Sequence, residues 1–399
     1  MRKNASERVC VHAWKRHDVG MKNERLDPRD GPDQSTITPL GTPLSLEPPS
    51  PPTGNESIDA QVAALVERWG ADHSPELVEE MIGTILKMAR DRMSVADLKL
   101  FNRALKEMRR AARMWVPYKD IPKISIFGSA RTSPEAPEYH AAEAFARRMR
   151  EEGFMIITGG GDGIMGAAQK GAGRERSFGL NIRLPFEQQA NETIIGDPKL
   201  VEFNYFFTRK LNFVKESHAI ALFPGGFGTM DEGFETLTLL QTGKSKILPL
   251  VLVDRPGGEY WLNWIKFMRE HLVAEGLISV EDFAFFKITD DIETAVDEVL
   301  RFYRVYHSSR YVGERLVIRL KARLKPEAID KLNVDFADLL KEGQFEQCDA
   351  LRQERGEPEV FHLPRLVFTL RKRSFARLRL LIDAINVSPT ERGARMVRV

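Results

Sequence analysis

The chain has 399 residues, 42% hydrophobic and 29% charged, which suits a globular protein of about two or three domains and excludes a membrane-resident one. Lys plus Arg total 59 against 57 for Asp plus Glu, so the formal charge of +2 gives no general pull toward nucleic acid or anionic lipid. Only Cys10 and Cys348 occur, which excludes a disulfide scaffold, and the lack of a signal-peptide-like or ~18-residue uncharged apolar run predicts a cytoplasmic protein.

Residues 1–54 hold eight of the 22 prolines and no apolar periodicity, so they read as a disordered tail. From residue 55 to 120 the pattern is helical: SIDAQVAALVERWG, then SPELVEEMIGTILKMARD with Ser74 as N-cap, then SVADLKLFNRALKEMRRAARMW. In the last of these Leu98, Phe101, Leu105, Met108, Ala112 and Trp115 form an apolar stripe, expected to pack a helical subdomain on the next domain.

Residues 121–308 alternate short β-branched runs with helices. KISIF, FMIIT, FGLNIRL, LVEFNYFF, AIALF, ILPLVLVD and KITD read as strands, each apolar run separated from the next by a helical or loop segment. That rhythm predicts an α/β fold, a parallel sheet covered by helices on both faces, with ligands at the carboxyl ends of the strands. Residues 312–399 read as a small basic α+β appendage containing the strands RLVIRLKARLK and RLVFTLRKR and the helix RSFARLRLLIDAIN. Its Arg315, Arg319, Lys321, Arg323, Arg371, Lys372, Arg373, Arg377 and Arg379 are read as a solvated face in preference to a polyanion site.

Three glycine clusters carry the chemical signal. Gly161-Asp-Gly-Ile-Met-Gly166 satisfies G-x-G-x-x-G, but it follows the second strand and the next strand lacks an acidic tip, so it predicts an anion-binding helix start and not a dinucleotide fold. Gly243-Lys244-Ser245 lacks the first glycine of a phosphate-binding loop, with Thr238 in its place. The third, Pro224-Gly-Gly-Phe-Gly-Thr-Met-Asp-Glu232, lies between an apolar strand and a helix, where Gly225, Gly226 and Gly228 allow close approach and Thr229 can cap the helix. Asp231 there is explained by the helix dipole, whereas Glu232 beside an anion loop calls for a chemical role.

PGGFGTMDE resembles the P-G-G-x-G-T-x-x-E signature of the Lonely Guy type of nucleoside 5′-monophosphate phosphoribohydrolases, once labelled lysine decarboxylases. FGSA at 127–130, TGGGDGIMGAA at 158–168 and TRKLNFVKESHAIALFPGGFGT at 208–229 match in order, so the resemblance covers about residues 121–305. It implies a Rossmann-like sheet, hydrolysis of the N-glycosidic bond of AMP or a cytokinin riboside monophosphate to base and ribose 5-phosphate, and a homodimer or higher homo-oligomer without metal or redox cofactor. It places Arg209 and Glu232 in catalysis, with Gly128, Ser129, Gly159, Gly160, Gly161, Lys210, Gly225, Gly226, Phe227, Gly228, Thr229 and Asp231 around the substrate. The wider family also implies a regulatory nucleotide at the C-terminal appendage.

The residues leave a second reading open, a non-catalytic nucleotide or cofactor carrier on the same fold; Glu232 beside Arg209 favours the enzyme. An ionised carboxylate near the anomeric carbon would stabilise the developing ribosyl cation and orient water, while a guanidinium can anchor phosphate or base but cannot donate a proton. The eight histidines are dispersed, with no paired metal-ligand spacing, and His218 reads as a packed residue.

Overall fold

The computed structural model describes residues 53–70, 73–184, 189–371 and 375–391. Apart from Thr53 and Gly54, the tail expected over 1–54 lies outside these residues, as do Lys372 and Arg373. Three helices come first, α1 (Glu56–Trp69), α2 (Pro75–Arg90) and α3 (Val95–Trp115). Asn55 caps α1 and Ser94 caps α3 through their side chains, whereas Ser74 stands at the head of α2 with φ +54° and makes no capping bond. The fixed φ of Pro75 starts α2 instead.

The central part runs β1 (Lys123–Phe127), α4 (Pro137–Glu151), β2 (Met155–Thr158), α5 (Ile164–Ala172), β3 (Ser177–Ile182), β4 (Leu200–Phe203), α6 (Phe206–Glu216), β5 (Ala219–Leu222), α7 (Phe227–Gln241), β6 (Leu250–Val253), α8 (Tyr260–Phe267), β7 (Phe286–Thr289) and α9 (Ile292–Phe302). The strands form one seven-stranded sheet in the order β4-β3-β2-β1-β5-β6-β7, every neighbouring pair parallel. Such strands are buried on both faces, which is why they read as continuous apolar runs. The strand expected over LVEFNYFF stops at Phe203, because the chain turns at Asn204 and Tyr205 and Phe206 already opens α6.

The remainder builds a four-stranded antiparallel sheet, ordered β10-β11-β9-β8, from β8 (Tyr306–Val312), β9 (Arg315–Leu320), β10 (Leu340–Cys348) and β11 (Arg365–Leu370), with helices α10 (Pro326–Asp335) and α11 (Phe375–Val387). One apolar cluster fills one side of the parallel sheet (Ile124, Phe145, Ile156, Phe223, Val299). Another includes Phe127, Phe178, Phe213 and Leu222 and continues through Phe302 and Tyr306 to Leu316, Phe345 and Leu381 of the second sheet and its helix. Asn386 on α11 accepts the N–H groups of Val305 and Tyr306 at 2.8 and 2.9 Å and donates to the Phe302 carbonyl at 2.6 Å, stitching the two parts together.

Two expectations about side-chain placement are corrected. The C-terminal arginines do not make a uniformly solvated face: Arg319, Arg365 and Arg379 are buried. Glu354 accepts from Arg319 at 2.7 and 2.9 Å and from Arg365 at 2.9 Å, while Arg379 pairs with Glu298 of α9 and Asp383. Buried cations persist because each meets a carboxylate in the same interior. On α3 the stripe Leu98, Phe101, Leu105 is exposed, since the buried line is Glu107, Ala111 and Trp115, the face that meets α6. Ile58, Leu65, Trp69, Leu77, Met81 and Ile85 of α1 and α2 are likewise exposed.

Candidate active site

The strand order reverses around β1: β2 lies on one side of it and β5 on the other. A parallel α/β sheet opens a crevice at such a switch point, at the carboxyl ends of the strands. Gly128 and Ser129 follow β1, and Pro224 to Gly226 follow β5. The two turns are joined directly, because Ser129 N–H donates to the Pro224 carbonyl at 3.1 Å. The Ser129 carbonyl in turn accepts from Ile164 N–H at 3.0 Å, at the start of α5. Gly225 is required by this closeness: a Cβ there would lie 2.2 Å from Thr229 Oγ1 and 2.8 Å from Ser129 N. Tyr260 completes the turn by donating its hydroxyl to the Gly225 carbonyl at 2.5 Å.

The second glycine turn, Gly159 to Gly161, is held by a residue that motif reading missed. Buried Asn191 donates through Nδ2 to the carbonyls of Gly160 at 3.1 Å and Gly161 at 2.8 Å, and its own N–H donates to Gly160 at 2.8 Å. Asn191 sits in the β3–β4 connection, with no periodicity or motif spacing to mark it. Gly163 heads α5 with φ +62°, and a Cβ there would collide with the Ser129 carbonyl at 2.3 Å.

Helix α7 begins at Phe227 with Gly226 as N-cap, earlier than the sequence suggests, so Thr229 lies inside the first turn and does not cap it. Gly226 has no side chain with which to cap this end of the helix. Its leading amides and the positive end of the dipole therefore face the turn, the arrangement that attracts phosphate. A Cβ on Gly226 or Gly228 would meet nothing within 4 Å, so the backbone there is open to an incoming group. Phe227 stands 97% exposed at the same corner, with Phe206 and Phe207 of α6 also exposed.

Helices α6 and α7 bring the charged residues together. Arg209 Nη2 lies 3.7 Å from Glu232 Oε1, with both side chains largely buried at 13% and 6% exposure. The guanidinium lies over the rings of Phe206 at 4.9 Å and Phe213 at 5.7 Å, and its buried Nε has no partner among the described residues. Lys210 is engaged differently from Arg209: its Nζ is 2.8 Å from both Asp231 and Glu235, carboxylates one turn apart on α7. Asp231 and Glu232 come after the first turn of α7, so ion pairing across to α6 places them, not the dipole at the helix start.

Burial dominates the electrostatics of the pair. It pushes the Glu232 carboxyl up to about 7, against the pull of Lys210 and Arg209 and with help from Glu235 and Asp231. Burial also pulls the Arg209 pKa down, opposed by Glu232 and Asp231, but a guanidinium stays charged. For Lys210, burial works against the ammonium, yet the hydrogen bonds to Asp231 and Glu235 outweigh it and the pKa rises. Such perturbed groups beside a glycine turn at a helix start are where chemistry concentrates.

Among the described residues no group of three or more His, Cys, Asp or Glu could hold a metal ion. His218 is a packed residue, accepting from Lys123 N–H at 3.1 Å and pushed down to about 3 by burial, then by Lys246 and Lys123. Gly243, with φ +66°, ends α7 and packs on Phe375, so the Gly-Lys-Ser sequence is a helix terminus. A cavity of about 480 Å³ lined by Arg150, Arg174 and Arg176 lies where α5 ends and β3 begins, at the amino ends of the strands, away from Arg209 and Glu232.

The fold and these turns define a Rossmann-like α/β protein with a glycine-lined switch point and a buried Arg–Glu pair. The family described as "Possible lysine decarboxylase" matches residues 165–299. The cytokinin riboside 5′-monophosphate phosphoribohydrolase LOG7 of Arabidopsis thaliana is 25% identical over 160 residues, which are 39% of this chain and 71% of that protein. The probable enzyme of that name LOGL5 of Oryza sativa subsp. japonica is 28% identical over 162 residues, 39% of this chain and 63% of that protein. The solved structure of the molybdenum cofactor carrier protein from Chlamydomonas reinhardtii aligns with 45% of this chain and 98% of that chain, at 19% identity and a TM-score of 0.32. The likeness to the Lonely Guy family is thus found by comparison as well as in the motifs, and it lies in the middle of the chain.

Proposed function

We propose that the protein hydrolyses the N-glycosidic bond of a nucleoside 5′-monophosphate, AMP or a cytokinin riboside 5′-monophosphate, releasing base and ribose 5-phosphate. The observation that carries this reading is the buried Arg209–Glu232 pair beside the glycine turns, 3.7 Å apart and short of a hydrogen bond. A pure binder of phosphate gains nothing from a carboxylate whose burial raises its pKa to about 7. A hydrolase gains a group that, once ionised, faces the ribosyl cation and orients water.

In this reading the 5′-phosphate meets the open backbone of Gly226 and Gly228 and the amides heading α7, with Thr229 and the turns at Gly128–Ser129 and Gly159–Gly161 around the ribose. Arg209 has an unpartnered Nε to offer the phosphate or the base. Lys210, tied to Asp231 and Glu235, braces α6 against α7. In this reading a homodimer covers Phe206, Phe207 and Phe227, large apolar side chains left exposed at the starts of α6 and α7. The matched relatives are phosphoribohydrolases by name, which supports the reaction class. Among the described residues no helix is long and apolar enough to cross a membrane.

The deciding experiment incubates the protein with a panel of purine, pyrimidine and N6-modified adenine nucleoside monophosphates and follows free base and ribose 5-phosphate. Release from at least one of them is expected. Tight binding with no release from any would establish the carrier reading instead.

A further inference from the structure

Helix α3 lies upstream of the segment that resembles phosphoribohydrolases, yet it reaches into the element carrying Arg209. Glu107 is a buried carboxylate on a helix whose neighbouring positions are the cations Lys106, Arg109, Arg110 and Arg113. Its Oε1 accepts from the backbone N–H of Asn204 at 2.9 Å and from Asn204 Nδ2 at 2.7 Å, and its Oε2 accepts from Thr208 Oγ1 at 2.7 Å. Two turns further along the same face, Trp115 Nε1 donates to Asn212 Oδ1 at 3.2 Å, and Asn212 Nδ2 donates back to the Thr208 carbonyl at 2.8 Å. Glu107, Ala111 and Trp115 repeat every four residues on α3, and Thr208 and Asn212 do so on α6, so two helix faces are laced along one seam.

These bonds brace the start of α6 from outside the helix. Its N-cap position is Tyr205, which makes no side-chain capping bond. The carboxylate of Glu107 instead ties Asn204, just before the helix, to the Thr208 side chain in its first turn, with its charge at the positive end of the α6 dipole. Three donors converge on it. A carboxylate has the acceptor sites for all of them, whereas a glutamine would turn an NH₂ toward donors. The residue after Thr208 is Arg209, whose guanidinium reaches Glu232 from the next position round the helix.

We propose that Glu107 is a positioning residue of the active site: by fixing the first turn of α6 it holds Arg209 opposite Glu232. The kinetic part of this inference rests on the hydrolase reading; the mechanical part rests on the bonds alone. It gives the helical segment a role that the apolar stripe does not disclose. A carboxylate outside the phosphoribohydrolase-like segment controls where the catalytic cation stands.

The test uses full-length protein carrying Glu107→Gln, Glu107→Ala and Trp115→Phe, each also combined with Arg209→Ala. Amide hydrogen exchange of residues 204–212 in Glu107→Ala should quicken at least ~10-fold, with the parallel sheet unchanged. Turnover of the best panel nucleotide should fall ~10–10²-fold in kcat with little change in KM, since misplacing a catalytic group by about 1 Å has that effect. Trp115→Phe keeps an aromatic ring but loses the Nε1 donor to Asn212, and should show the same change, smaller. In the Arg209→Ala background, Glu107→Ala should cost no further rate, because the residue it positions is gone. Unchanged exchange at 204–212 overturns the proposal. So does an equal rate loss with and without Arg209, or a lowered Tm with parental kcat, which would mark a purely structural bond. If the parent hydrolyses nothing, the hydrolase reading fails, and the exchange result alone decides whether the latch exists.

Discussion

The guanidinium of Arg209 and the carboxylate of Glu232 face each other across the α6–α7 seam at 3.7 Å, both largely buried and too far apart for a hydrogen bond. Next to them Lys210 makes contacts of 2.8 Å with Asp231 and Glu235. The tight contacts hold the helices, and the loose pair is left with capacity for a ligand. An opposite charge held close would pin Glu232 ionised; at this separation burial wins, and its pKa rises to about 7.

Replacing Glu232 with alanine or glutamine should lower turnover at least ~10²-fold while leaving the fold and nucleotide binding in place, as loss of a transition-state contact does. Steady-state release of adenine from AMP, with calorimetric titration of AMP as the binding control, measures both. A parental rate in either variant would remove Glu232 from the chemistry.

The pH dependence has a defined sign. If ionised Glu232 is the working form, kcat/KM should rise with pH through about 7 and level off above it. Stability moves the other way. Between the ordinary carboxylate value of 4.5 and about 7 the folded chain keeps a proton that the unfolded chain releases. The contribution of this group is thus full below that window and lost as pH rises through it. Buried His218, pushed down to about 3, has the opposite slope, so the informative quantity is the Tm of Glu232→Gln minus that of the parent. That difference should grow from pH 5 to pH 8; a flat difference would mean that Glu232 titrates normally.

Two glycines one position apart should answer differently to alanine. Gly225→Ala puts a methyl 2.2 Å from Thr229 Oγ1, forcing apart the turns after β1 and β5, and should destabilise by about 1–3 kcal/mol. Gly226→Ala meets nothing within 4 Å and should change stability by less than ~0.5 kcal/mol. Substrate affinity should nevertheless fall in Gly226→Ala, because the methyl occupies the approach to the α7 amides. Thermal melts paired with KM values separate the two cases.

Glu354 is buried between Arg319 and Arg365. Glu354→Ala leaves two interior guanidiniums without their partner and should cost about 3–5 kcal/mol, read from urea unfolding. A loss below ~1 kcal/mol would mean that water or Glu357, which also reaches Arg319, takes over.

Much of the fold was legible before any coordinates. β-branched runs spaced by helical segments announced the parallel sheet, and small residues after Phe127, Thr158 and Phe223 located the turns, because burial on two faces and close backbone approach each leave a compositional trace. Side-chain direction at the ends of elements left none. Thr229 looked like a cap, yet α7 starts two residues earlier; Arg319 and Arg379 looked solvated, yet they point at Glu354 and Glu298.

The sequence by itself determined the α/β class and the glycine turns, and marked Glu232 as a residue with a chemical reason to exist, because these follow from local periodicity and residue type; Arg209 was marked by the family resemblance. Only the tertiary structure decided what those residues meet. Asn191 reaches the second glycine turn from 30 residues away and Glu107 reaches Thr208 across 101. The raised carboxyl of Glu232 comes from burial that no neighbour in the chain provides. Hydrogen-bond partners and desolvation are properties of packing between segments, and no local pattern encodes which segments will touch.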